Sequence, residues 1–372
     1  MKNKIELNNF IKHCFKPSFF FRTFFFIINK LNYRLISKII SKNYYPDSVN
    51  KILRKINKQK KTIYSKNKRN YEFSSCEIIL CSEKFAFNKE SDWHLQFDDQ
   101  EYTFALHRWN WLMTSFDESP LRLRREWGLH MIRSWIANMM DSKNNFAWHP
   151  YTVGERISNG FLFGALTNGN QPKIHYADIL PNDIKESINY MTFFLSKNLE
   201  YKGKGKTGNH IINNSRALLY ASILLENNLF SELSFSILKS DLDDLISKDG
   251  FLREGSSHYQ FIFSRWILEM IWLAKISNND VIYNYLIPFA NKLIKQCNFF
   301  IIDKSNVPFS IPLIGDISPD FPVSWLTSLP FSSLANEVID ESENNINFMN
   351  TNFDWSFLVN QNPNIFNTNF KN

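Results

Sequence analysis

Three short segments place side chains suited to acid–base or anion chemistry at the heads of helix-forming sequence. Asn209 and His210 stand directly before an apolar run from Ile211 to Leu225, with Asn213 and Asn214 in its first turns. An amide beside an imidazole can bind a carboxylate, neutralise a developing oxyanion or exchange a proton. The plainer account is that Asn209 caps the helix and His210 is a satisfied side chain near its end. The segment Asp249 to Tyr259, DGFLREGSSHY, is a polar turn entering another helix and supplies Glu254, His258 and Tyr259. Neighbours on a helix point about 100° apart, so His258 and Tyr259 cannot both face one substrate atom. Tyr259 extends the apolar stripe of its own helix and is the favoured one of the two, with a core tyrosine as the plainer alternative. The third segment, AWHPYTVGERISN from Ala147 to Asn159, combines the aromatics Trp148 and Tyr151 with Arg156 in a loop-to-helix context. Ile314-Gly315-Asp316 follows a Pro-bounded apolar stretch.

A competing motif fails on context. Gly203-Lys204-Gly205-Lys206-Thr207-Gly208 fits GxGxxG and contains a GKT triplet, but a phosphate-binding loop of that kind needs glycine at position 200, where Glu200 stands. The preceding element is amphipathic and helical instead of a buried strand. These glycines read as a flexible loop delivering Asn209 and His210. Cys14, Cys76, Cys81 and Cys297 are scattered, without a CxxC pair or a histidine at zinc-finger spacing, so neither a disulfide framework nor a metal site is expected. No cofactor is expected.

The elements that must carry these groups are helices. Leu123, Trp127, Met131, Trp135 and Met139 recur at helical spacing. So do Ile188, Met191, Leu195 and Leu199; Phe235, Leu238, Leu242 and Leu245; Tyr259, Ile262, Trp266, Met270 and Leu273; and Leu286, Phe289, Leu293, Cys297 and Phe300. Short polar connections at 225–228 and 277–280 imply antiparallel helical hairpins. No fixed-period repeat points to a TPR-like or HEAT-like array. The reading is therefore all-α: an incomplete α/α toroid of helical hairpins with a short N-terminal extension. Residues 1–90 form a basic helical or extended lead-in, in which Tyr71 to Lys89 alternates weakly enough for a short strand or arm. Residues 91–335 form the toroid, and 336–372 an Asn-rich tail.

At 372 residues the chain can bury a sizeable core, and 44% hydrophobic residues with only 11 Gly exclude a disordered chain. Thirty-five Phe mostly signify an aromatic core, although aromatic faces also suit sugar stacking. A formal charge of +7 fits an anionic partner without choosing among nucleic acid, membrane surface and acidic glycan. The basic run Lys58, Lys60, Lys61, Lys66, Lys68 and Arg69 lacks a nucleic-acid fold signature and reads as a solvated linker, so no nucleic-acid partner is expected. The Phe-rich stretch Phe19 to Ile28 is interrupted by Arg22, is too short to span a bilayer, and precedes no small-residue cleavage site. Neither a transmembrane segment nor a signal peptide is expected; a capping helix is favoured there, with membrane-surface contact as the alternative.

The order of five segments, His107-Arg108-Trp109-Asn110-Trp111-Leu112, AWHPY…ERISN, Asn209-His210, DGFLREGSSHY and IPLIGD, resembles the heparinase II/III N-terminal domain family over about residues 93 to 320. That resemblance implies an incomplete α/α toroid followed by an antiparallel β-sandwich. It also implies kinship with alginate and heparin or heparan sulfate lyases, which cleave a uronic-acid polysaccharide by β-elimination. Carried over, Asn209 would bind the uronate carboxyl and stabilise the enolate, and His210 would assist or act as a base. Tyr259 would take the C5 proton, protonate the leaving oxygen, or do both. Arg156, Trp148, Tyr151, Trp109, Glu254 and His258 would contact an acidic polysaccharide. A periplasmic location follows only by analogy.

The stretch after IPLIGD, 317–372, shows no credible set of strands, so the family's sandwich is expected to be missing. Two readings follow: a polysaccharide lyase, or a non-catalytic or truncated glycan-binding toroid using Trp148, Trp109 and Arg156. A third, hydrolysis with Glu254 and Asp316 as acid and base, rests on carboxylates whose separation nothing in the sequence defines.

Overall fold

The computed structural model describes residues 45–59, 76–114, 121–142, 144–168, 175–203, 207–300 and 312–318. After α1 (Asp47–Ile56) come a hairpin of β1 (Cys76–Leu80) and β2 (Glu83–Phe87) and a 3-10 turn (Glu90–His94). The helices continue as α2 (Gln100–Arg108), α3 (Trp111–Thr114), α4 (Leu121–Met139), α5 (Pro150–Thr167) and α6 (Asn182–Lys197). The last are α7 (His210–Leu224), α8 (Asn228–Leu245), α9 (Ser257–Ile276) and α10 (Asp280–Cys297). The fold is all-α: among the described residues the one sheet is the antiparallel hairpin, which pairs Ile78 with Phe85. The weak alternation between Tyr71 and Lys89 thus resolves, over its described part, into two strands.

Helices α5, α7 and α9 are buried around almost their whole circumference, whereas α6, α8 and α10 bury one face. The first three form an inner layer and the others an outer one. Each inner helix is followed by its outer partner: Ser215 of α7 donates to the Ser234 carbonyl of α8 at 3.0 Å, and Gln260 of α9 donates to the Leu293 carbonyl of α10 at 3.2 Å. The short connections are locally encoded. Asn227 caps α8 by accepting from the Leu229 amide at 3.2 Å, and Ser256 caps α9 by accepting from the Tyr259 amide at 3.0 Å. Gly250 sits at φ +97 before α9, where an added Cβ would lie 2.3 Å from the Lys292 carbonyl oxygen, so both backbone and space require glycine.

The inner helices run parallel. Near the start of α7, Asn213 donates to the Tyr151 carbonyl in the first turn of α5 at 3.1 Å; further along, Phe161 of α5 meets Tyr220 of α7 with ring centroids 5.0 Å apart. The close approach of the two helices depends on Gly154, where a Cβ would fall 3.2 Å from the Asn213 amide nitrogen. The N-terminal ends of α5, α7 and α9 therefore gather on one side. Outside the layers, Tyr45 donates to the Leu199 carbonyl at 3.2 Å, Ser236 bonds Ser48 of α1 at 2.8 Å, and Phe87 of β2 packs on Trp93 at 4.4 Å.

Helices that are buried all round cannot be all apolar when they carry Glu155, Arg216, Arg265 and Glu269. These four side chains are 3% exposed or less and form one charge-balanced cluster. Arg216 donates through Nε to Glu269 and through Nη1 to Glu155 at 3.0 Å and Asn213 at 3.1 Å. Glu269 also accepts from Arg265 at 2.8 Å and from the Tyr220 hydroxyl at 2.9 Å. Burial by itself would discharge such groups. For Glu269 the two arginines outweigh it and hold the carboxyl below its usual range, and for Arg216 the two glutamates hold the guanidinium above its own.

Several expectations fall outside the described residues: the Phe-rich N-terminal stretch, the basic run from Lys60 to Arg69, Lys204 to Lys206, the Asn-rich tail, and whether strands follow the IPLIGD segment. No helix among the described residues is long and apolar enough to cross a membrane.

Removing one carboxylate from the cluster leaves charge buried without a partner. Glu269→Ala is expected to lower unfolding free energy by about 3–5 kcal/mol, read from the urea midpoint; a loss below about 1 kcal/mol would mean that the cluster does not hold the inner layer together.

Candidate functional site

The gathered N-terminal ends carry the polar residues at the mouth of the inner layer. Asn209 occupies the N-cap position of α7, yet its side chain makes no cap bond. It donates from Nδ2 to Glu254 Oε2 at 2.7 Å, while its backbone N–H donates to Glu254 Oε1 at 3.2 Å. A carboxylate is thus gripped by two donors of one residue at a helix N-terminus, where the helix dipole favours negative charge. Burial raises the Glu254 carboxyl above its ordinary value, and the charge of Asp316 adds to that; the Asn209 N–H and His210 pull the other way.

The next residue, His210, is exposed. Its Nδ1 lies 2.8 Å from Glu200 Oε1, and its ring packs 4.6 Å from that of Tyr151 in α5. Glu200 belongs to the turn between α6 and α7. Its backbone N–H donates to Asn214 Oδ1 at 2.9 Å and its Oε2 accepts from Asn214 Nδ2 at 3.3 Å. His149, just before α5, puts Nε2 3.8 Å from the same Glu200 oxygen. Burial alone would raise the Glu200 carboxyl; the hydrogen bond and charge of His210, with His149 and Asn214, hold it below the usual range. His149 is itself depressed, chiefly by burial. Arg108, at the end of α2, completes this side with its guanidinium carbon 5.0 Å from the Tyr151 ring centre.

Tyr259 lies half-buried in the first turn of α9, so α7 presents Asn209 and His210 and its neighbour α9 presents Tyr259 from the same end. Residues 312–318 are tied to the start of α9. Ser257 N–H donates to the Ile314 carbonyl at 3.0 Å, Ile314 N–H donates back to Ser257 Oγ at 3.0 Å, and Ser318 N–H donates to His258 Nδ1 at 3.1 Å.

The family described as Heparinase II/III N-terminus matches residues 30–318. The chain belongs to the heparinase II/III family. Neither the curated proteins nor the solved structures yield a match.

Of the residues singled out in this heparinase II/III N-terminal domain, the structure brings together Asn209, His210, Tyr151 and Glu254, with Tyr259 at the head of the adjoining helix. It encloses Arg156, Trp109, His258 and Tyr151 itself, contrary to the expectation that they contact substrate, and leaves Trp148 partly open. Arg156 has no exposed surface: Nη1 donates to the His107 and Ala147 carbonyls, both at 2.9 Å, and the guanidinium lies 4.0 Å from the Trp135 ring centre. Its spacing along α5 turns it into the core, where carbonyls and indole faces solvate the charge. Trp109 is equally enclosed, edge-on to Trp135 at 5.4 Å. Trp148 is half-buried, bonded through its indole N–H to the Met139 carbonyl at 3.1 Å and packed on Phe194 at 5.0 Å. His258 is 4% exposed and accepts from the Ser318 N–H that follows the IPLIGD segment, leaving Tyr259 as the more open of the pair.

Glu200, His149 and Arg108 join the site without having been assigned a role from sequence. Glu200 stood out only as the residue that breaks a phosphate-loop pattern. His149 and Arg108 lay inside the family segments, but nothing local marks the partner of either one. Among the described residues no group of three His, Cys, Asp or Glu is placed to hold a metal ion.

Arg156→Lys replaces a planar fork shared by two carbonyls and an indole face. It is expected to cost about 1–3 kcal/mol in denaturant unfolding while leaving the affinity of the folded protein for an acidic polymer unchanged. A selective loss of affinity would restore Arg156 to the binding surface. Because the folded Glu200 carboxyl lies below its unfolded value, its ionisation stabilises the fold above the unfolded range, near pH 4.3, and that contribution is lost as pH falls through the lower folded value. Glu200→Gln should therefore flatten the acid limb of a stability–pH curve below about pH 4.5, and an unchanged limb would contradict the assignment.

Proposed function

We propose that the open end of the inner helices is the substrate site of a polysaccharide lyase acting on a uronic-acid polymer by β-elimination, with α5, α7 and α9 lining one arc of an incomplete α/α toroid. The reading rests on family membership and above all on one observation: Asn209 grips a carboxylate with both its backbone N–H and its amide at the head of α7. Glu254 fills those donors in the free protein. A uronate carboxylate entering the cleft exchanges with it like for like, so that the donors are satisfied before and after binding.

In this reading Asn209 draws negative charge from the uronate carboxyl and makes the C5–H more acidic, because the enolate formed on proton loss carries its charge on those same oxygens. His210 on the next residue and Tyr259 at the head of the adjoining helix are assigned the proton-transfer roles in this reading. A base takes the C5 proton, the C–H electron pair becomes the C4–C5 double bond, and the C4–O4 bond breaks. Tyr259 returns a proton to O4 and leaves a hydroxyl on the other product. The positive ends of the parallel helices favour an anionic group at this end.

The test is incubation with alginate, heparan sulfate, hyaluronan and polyglucuronate, following ultraviolet absorbance of the new double bond. Absorbance should grow on at least one polymer, fall by about 10²–10⁴-fold with Tyr259→Phe, and fall by about 10²–10³-fold in kcat with Asn209→Ala. Polymer binding without any new absorbance, from folded protein, would favour the non-catalytic glycan-binding module.

A further inference from the structure

Glu200 is attached to His210 more closely than any other charged group described around it. Its Oε1 is 2.8 Å from His210 Nδ1 but 3.8 Å from His149 Nε2. Two contacts with Asn214, one through its backbone N–H and one through Oε2, fix the carboxylate from the other side. The Glu200 side chain is 14% exposed and that of His210 46%, so the carboxylate lies behind the ring and the ring itself meets solvent. An ionised carboxylate can only accept, so a hydrogen bond between these atoms requires the proton to reside on Nδ1. Tyr151 supports the imidazole face at 4.6 Å. The other charged or titratable groups around the ring are His149 on the α5 side with Arg108 behind it, Lys202 in the α6–α7 turn, and Glu254 on the α9 side.

We propose that Glu200 is the positioning residue of His210: it holds the imidazole proton on Nδ1 and leaves Nε2 as the ring nitrogen presented to the polysaccharide. Neutral His210 then offers Nε2 as a proton acceptor in the cleft, and protonated His210 offers it as an N–H donor to an anionic sugar group. The role of His210 toward a uronate rests on the proposed lyase function. The placement of the proton does not, and it is measurable in the free protein.

The experiment is long-range ¹⁵N–¹H correlation NMR of the full chain labelled on histidine, recorded at alkaline pH without polysaccharide, with the His210 signals identified by their loss in His210→Gln. The wild-type protein should carry the His210 proton on Nδ1, and Glu200→Gln should move population to the Nε2–H form. A proton on Nε2 in the wild-type protein overturns the proposal, as does a tautomer unaffected by Glu200→Gln in a protein shown to be folded. Should that variant not fold, the wild-type spectrum alone decides. Where a polymer is cleaved, Glu200→Gln should lower kcat about 10²-fold or more with KM little changed, and Glu200→Asp should recover part of the loss. A wild-type Nδ1–H signal in a protein that cleaves nothing would sustain the role of Glu200 while removing the lyase reading.

Discussion

The arrangement depends on charge buried where three helices meet. Glu155 on α5, Arg216 on α7, and Arg265 and Glu269 on α9 are enclosed together and neutralise one another, with Tyr220 and Asn213 taking further bonds. An apolar core would let these helices slide or rotate by a residue at small expense. A buried ion cluster does not, because a shift of one turn leaves a charge without its partner in a medium of low dielectric. Register among the inner helices is thus a consequence of Coulomb attraction and desolvation more than of shape alone.

That register carries through to the open end. Because α5, α7 and α9 are parallel, their N-terminal ends lie on one side, where the first turns or the residues just before them carry His149, Tyr151, Asn209, His210 and Tyr259. The aligned peptide dipoles of three helices add there. Burial opposes the charge of Glu200 and Glu254, and both are accepted because Asn214, His210 and Asn209 supply donors from α7 or its cap; for Glu200 those partners prevail and hold the carboxyl below its usual range. Interior and mouth use one device, carboxylates satisfied by groups from neighbouring helices. They differ in access: the interior cluster is sealed, whereas His210 remains open.

The relation of Arg156 to this scheme shows how burial can reverse an interpretation based on residue type. Glu155 and Arg156 are adjacent on α5 and so point in different directions, one toward α7 and the other toward the indoles of Trp135, Trp148 and Trp109. The second charge is solvated by two carbonyls and aromatic faces; burial first and then this charge lower His107 to about 3. An arginine in a loop-to-helix segment rich in aromatics looks like a sugar subsite in one dimension and is a core bolt in three.

The helical stripes, the short polar connections and the order of the five segments were legible in the sequence because each is a local or linear property: side-chain period follows from backbone geometry, and Asn227 and Ser256 cap helices within three residues of themselves. The pairing of an Asn-His dipeptide with a tyrosine-bearing helix came from that linear order as well. Which side chains face outward was not legible. Asn209 faces Glu254, His210 faces Glu200, and His258 faces Ser318 across separations that no periodicity reports. Tertiary packing decided these, since burying a charge or an amide is tolerated only where a partner from another element meets it, and the identity of that partner exists only once the helices are stacked.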